Sequence, residues 1–133
     1  MDLTKAIEAL LHGPGEPMTG SAITNDEARE FGHATLNGAP FCLVRDWIWV
    51  DLEGPADQDK LFTRLGVEPV FLFAHTVVYD SLRRLDVGYF VRTSPLHKFT
   101  GGFVFQTKNT HYVLLGDGLR KQAHPKALAL ITG

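Results

Sequence analysis

Sulfur chemistry is nearly missing from this chain: one cysteine, Cys42, and two methionines in 133 residues. A lone cysteine excludes an internal disulfide, a Cys-x-x-Cys redox pair and a thiolate zinc cage. Cys42 is therefore expected as a small buried hydrophobe in a reducing, cytoplasmic compartment. No stretch approaches the roughly 18 consecutive apolar residues of a bilayer-spanning helix, so no membrane partner is expected. The opening MDLTKAIEALLHGPGE carries acids and lacks the basic start and long apolar run of an export signal. The loop GPGEPMTGS has the glycines of a phosphate cradle but not its terminal lysine. No His-x-His, HExxH or G-x-S-x-G occurs, so neither cofactor nor metal is expected. Internal repeats and low-complexity runs are absent too.

Hydrophobic residues make up 44% and charged residues 21%. That balance belongs to a folded chain, and the length to a single domain over residues 1–133. Net charge is only −2, but it is unevenly placed. Residues 1 to 82 hold five Lys/Arg against thirteen Asp/Glu, net −8; residues 83 to 133 hold eight against two, net +6. Such polarity gives either a basic face for an anionic partner or two halves that attract each other inside one fold.

Leu3, Ile7, Leu10 and Leu11 form one apolar stripe, and Gly13-Pro14 stops it, which predicts a helix over about 3–12. Thr24 and Glu27 have capping-box spacing, which predicts a second helix from about 25 to 33 and a helical segment over 1–35. FCLVRDWIWVDL reads as a strand over 41–52, apolar on both faces, with Trp47 and Trp49 in the core. Simple alternation puts Phe41, Leu43, Arg45, Trp47 and Trp49 on one face. Pro55 and Gly66 bracket a helix over 55–65. Residues 67–115 read as a four-stranded β-meander, with Gly101-Gly102 as a tight hairpin and Asn109 in a left-handed turn. The short tail from Leu119 onward is expected to close with a helix. The fold class is α+β: amino-terminal helices on one face of a mainly antiparallel sheet.

Candidate binding residues are the cations of the carboxyl half, namely Arg83, Arg84, Arg92, Lys98, Lys108, Arg120 and Lys121. Interleaved with Tyr89, Phe90, Phe99, Phe103 and Tyr112, they suit an anionic protein or nucleic-acid partner: cations meet phosphates or carboxylates, and aromatics stack. The leading reading is a non-enzymatic binding protein acting through that face. His75, His97, His111 and His124 are spaced by 22, 14 and 13 residues, which specifies no metal site. An alternative uses His75 or His111 with Arg92 as a metal-independent endoribonuclease, the imidazole moving a proton and the guanidinium holding developing phosphate charge. A structural reading keeps both histidines half-buried and pairs Arg92 with an amino-half acid. A homo-oligomer joining acidic half to basic half is a third possibility.

The pieces AHTVVYDS, GYFVRTS, FQTKNTHYVLLG and GLRK, spanning residues 74–121, resemble an uncharacterised family of small bacterial proteins from prophage or mobile-element regions. The resemblance implies an accessory protein acting on a host protein or nucleic-acid machine. It implies no catalytic residue.

Overall fold

The computed structural model describes residues 1–131. Its fold is α+β, with four helices and a curled eight-stranded sheet among the described residues. Helix α1 (Leu3–His12) starts where the Asp2 carboxylate accepts from the Lys5 amide at 3.1 Å and ends at Gly13. After the short strand β1 (Glu16–Met18) comes α2 (Asn25–Thr35), opened by both bonds of the Thr24–Glu27 capping box. The long strand β2 (Phe41–Leu52) precedes α3 (Ala56–Arg64).

Strand β3 (Val70–Asp80) pairs antiparallel with β2 along its length, and β4 (Val91–Arg92) covers part of the other side of β3. Then come β5 (Lys98–Thr100), β6 (Val104–Gln106) and β7 (His111–Leu114). In place of the four-stranded meander expected over 67–115, only these three form an antiparallel meander, with β3 and β4 pairing apart from it; its β5–β6 hairpin turns on Gly101 and Gly102 at φ 64° and 79°. The turn before β7 is not made by a left-handed Asn109; the Thr107 hydroxyl makes it, accepting from the amides of Asn109 and Thr110.

The sheet and the tail also differ from the sequence-based expectation. The sheet is mixed, because β7 and β8 (Gly118–Ala123) both run parallel to β2, one against each half of its free edge. Side-chain alternation reports which face is buried, and it carries no sign for the direction of a neighbouring strand. The tail is also a strand before it is a helix. β8 binds β1 and β2, and only α4 (Pro125–Ala129) is helical. The inward residue Lys121 breaks the apolar alternation that would have marked β8.

A bend in β2 organises the core. Cys42, Val44, Trp47 and Trp49 share one cluster, so the inward face passes from even to odd positions between Val44 and Trp47. Asp46, at φ 52°, makes that switch, and β3 makes the matching one between Ala74 and Val77. Beside the bend the β7–β8 strand breaks at Gly116, φ 68°, and the Trp47 indole N–H donates to the carbonyls of Leu115 and Gly116 at 3.2 Å. Trp47 and Trp49 are buried as expected, but with Cys42 and Val44 rather than with Phe41 and Leu43.

One side of the sheet is filled by this cluster together with Leu72, Val77, Val91, Leu96, Phe105 and Leu114. Helices occupy the other side. α2 covers Phe41, Leu43 and Val113, while α1 and α4 cover Ile48, Val50 and Phe73. Gly118 lies beneath the Trp47 ring, where an added Cβ would stand 2.4 Å from ring carbons. Gly118→Ala is therefore expected to cost about 2 kcal/mol through overpacking, read from the urea midpoint.

Candidate functional site

Four of the seven candidate cations are engaged by the fold itself. Helix α1 ends with carbonyls that need donors, and Pro14 has no N–H to give to Leu10 four residues back. The Lys121 ammonium reaches across from β8 and donates to the carbonyls of Leu10 at 2.8 Å, Gly13 at 2.6 Å and Ala9 at 3.2 Å. The neighbouring Leu11 carbonyl accepts from His75 Nε2 at 2.9 Å. Helix α3 repeats the arrangement. Lys108 donates to the Leu65 carbonyl, and His97 Nδ1 to that of Gly66 at 3.0 Å. A cation at the carboxyl end of a helix also faces the negative end of its dipole.

Two arginines meet amino-half carboxylates directly. Arg84 makes a bidentate pair with the buried Asp80, at 3.1 and 2.9 Å, and also donates to the Thr110 hydroxyl. Arg120 grips Asp51 at 2.6 and 3.0 Å and lies over the Trp49 ring. Arg120 and Asp51 thus join the basic half to the acidic one, while Arg84 and Asp80 pair locally across the boundary between them. Arg83 is exposed in a left-handed turn, Lys98 is exposed on β5, and Arg92 is half-buried on β4; none has an ion pair among the described residues.

Arg92 stands opposite Phe73 across β3 and β4, and His75 lies two residues further along β3 on that same face, its ring 4.9 Å from that of Phe73. The structure brings His75 and Arg92 to one surface. His111 lies elsewhere: it pairs with Phe41 and Gln106, whereas Phe73 pairs with Ile48. Seven residues of β2 separate the two positions, roughly 20 Å at about 3.3 Å per residue. The Nδ1 of His111 is buried and has no partner. Asp80, five residues after His75, is committed to Arg84.

Around His75 and Phe73 lies a groove of about 650 Å³. Ile7, Leu11 and His12 of α1 form one wall, Tyr89 and Phe90 the opposite wall, and Leu130 and Ile131 the end. His12 stacks on His75 at 5.6 Å, and Phe90 on Phe73 at 5.7 Å. Large side chains of its lining remain in water: Tyr89 is 65% exposed, Leu130 59% and Phe90 44%. A second cavity of about 400 Å³ shares Leu11, His12 and His75 and adds Asp46 and Asp117. Among the described residues no three metal-ligating side chains gather.

Sequence reasoning placed the function on cations and took the interleaved Tyr89 and Phe90 as aromatics that could stack on the bases of a nucleic acid. The available signal was that GYF follows the loop RRLDV, so these aromatics begin a strand at its ragged end, where burial is incomplete. Leu130 and His12 carried no distinguishing signal, because each reads as an ordinary helix residue.

Cys42 is fully buried, and burial followed by the nearby Asp80 charge pushes its thiol up to about 12. Burial also holds the Tyr112 phenol at about 12. At pH 8 the native thiol is expected to resist Ellman's reagent for as long as the protein stays folded and to react fully in denaturant. Rapid reaction of the native protein would contradict this burial.

No helix among the described residues is long and apolar enough to cross a membrane. No curated protein and no solved structure matches the chain significantly. Its sequence does match one family model over residues 18–130, well beyond the 74–121 stretch that carried the resemblance. The chain therefore belongs to the family of the domain of unknown function DUF6957.

Proposed function

We propose that this is a non-enzymatic binding protein whose working surface is the groove between α1, the end of α4 and the Gly88–Phe90 segment. The partner is a protein that inserts apolar side chains and presents negative charge. The carrying observation is the exposure of Tyr89, Phe90 and Leu130 about a concave site. Contiguous exposed apolar surface beside a preformed groove marks a recognition site rather than a solvated face. A protein partner is favoured over nucleic acid because the fold itself uses Arg84, Lys108, Arg120 and Lys121. Arg83, Arg92 and Lys98 alone are a sparse track for phosphates. The resemblance to mobile-element proteins and the single buried thiol accord with an accessory role in the cytoplasm.

Selection of random displayed peptides on the full chain tests this reading, with the Phe90→Ser/Leu130→Ser double variant as the counter-target. Peptides that bind the parent at least about tenfold better than the variant are expected. Selection that returns no such dependence removes the groove as the working surface.

One observation favours a second reading. His12, His75 and Arg92 border the same face, supplying two imidazoles and a guanidinium to a phosphodiester without a metal. Incubation of labelled RNA with the protein in EDTA from pH 5 to 8 decides it. Cleavage lost in His12→Ala and His75→Ala supports an endoribonuclease, and intact RNA removes it.

A further inference from the structure

The segment Gly88–Ser94 runs antiparallel along the outer side of β3. Its bonds alternate: the Thr93 amide donates to the Leu72 carbonyl at 2.9 Å, and the Gly88 amide to the Val77 carbonyl at 2.8 Å. Thr93 and Leu72 face each other as a hydrogen-bonded pair, so Phe73 and Arg92, one step along, form a non-bonded pair. The amides and carbonyls of Phe90 and Arg92 consequently point away from β3. Among the described residues no strand pairs with that side of β4.

An open edge invites any extended chain, and folded proteins commonly blunt such edges with an inward-facing charge. Arg92 is such a charge, since its side chain lies on the groove face beside Phe73, and its Nε is buried without a hydrogen-bond partner. A purely apolar strand laid on this edge would bury an unpaired guanidinium. A second copy of the chain, added antiparallel about Arg92, would bring two guanidiniums together. A strand carrying a carboxylate at that position meets neither penalty, so the residue that excludes most chains admits one chemistry.

Resting on the groove reading above, the geometry points to strand addition: an extended segment of the protein partner pairs with the free edge of Phe90–Arg92. Side chains alternate along a strand, so positions two apart share a face. One of the two lies beside Phe90 and reaches the apolar groove, and the other lies beside Arg92. The recognised element is therefore an apolar residue and a carboxylate separated by one residue, in an extended chain.

The probe is a synthetic peptide in which Thr alternates with Leu and Glu, so that both Leu-x-Glu and Glu-x-Leu orders occur. It is expected to bind the full chain, to slow amide exchange at Phe90 and Arg92 by about tenfold or more, and to lose about tenfold in affinity in Arg92→Gln. Replacing Glu by Gln in the peptide should cost a similar factor. N-methylation of one of its two alternating sets of amides should abolish binding, while methylation of the other should not.

Binding that survives both methylations and Arg92→Gln, but fails in Phe90→Ser/Leu130→Ser, overturns strand addition and leaves the groove reading in place. Failure of the probe to bind, where displayed peptides do select the groove, overturns strand addition alone. Exchange protection of Phe90 and Arg92 without peptide, accompanied by dimer formation in sedimentation, overturns it in favour of self-pairing.

Discussion

Lys121→Met is expected to lower the stability of the folded chain by about 3 kcal/mol and its melting temperature by roughly 10 °C. The substitution keeps the apolar stem that packs beneath Gly15 and removes only the ammonium. Three carbonyls at the end of α1 then lose a charged donor in a site where Lys121 is 9% exposed. The Ala9 carbonyl retains the Gly13 amide at 3.0 Å, so its loss is partial. Leu10 has no such reserve, because the residue four positions on is Pro14. Hydrogen bonds to charged groups contribute about 1.5–3 kcal/mol each, and a buried acceptor left unmet costs about 1–3 kcal/mol, terms that overlap rather than add. The measurement is urea unfolding of parent and variant. A change below about 0.5 kcal/mol, the range of an ordinary surface position, would show that water replaces the ammonium and that Lys121 is free for other roles.

That prediction also separates what was readable in the sequence from what was not. The Thr24–Glu27 capping box, the Gly101-Gly102 hairpin and the strand 41–52 are local patterns, and each stands where its residues placed it. The bend at Asp46 is local too. An aspartate at φ 52° looks in sequence like any polar residue on a strand, so strict alternation placed Trp47 and Trp49 with Phe41 and Leu43. Apart from Arg84, which pairs with Asp80 four residues before it, the engaged cations have partners far off in sequence. Lys121 is 111 residues from Leu10, Lys108 is 43 from Leu65, and Arg120 is 69 from Asp51. Composition registered these contacts only as a sum, the opposite net charges of the two halves. The residues that remain for a partner are those the fold leaves over, and a sequence cannot perform that subtraction without the pairing.

The second large effect is expected at Asp80, where Asp80→Asn should cost about 3 kcal/mol. The Asp80 carboxylate is buried at the end of β3 and accepts from the Arg84 amide at 2.7 Å, the Leu85 amide at 3.1 Å, and the Arg84 guanidinium at 3.1 and 2.9 Å. An asparagine of the same shape offers one acceptor oxygen and turns an N–H₂ toward those donors. Arg84, 40% exposed, keeps part of its hydration, which holds the loss below that of a fully buried charge. Burial pushes the Asp80 carboxyl up, but the Arg84 side chain, the amides of Arg84 and Leu85 and the arginine charge together outweigh it. The group titrates below its ordinary value of 3.8. A carboxylate with a depressed folded-state pKa binds its proton more readily in the unfolded chain. Its stabilising contribution is therefore complete above about pH 4 and disappears as pH falls through the folded-state value. Unfolding curves collected from pH 7 to pH 2 should show the parent losing stability more steeply than Asp80→Asn in the acid limb, so that the two converge. Parallel acid limbs would mean that Asp80 carries no depressed pKa and that the Arg84 clamp is loose in solution. Arg84 would then rejoin Arg83, Arg92 and Lys98 as a cation available to a partner.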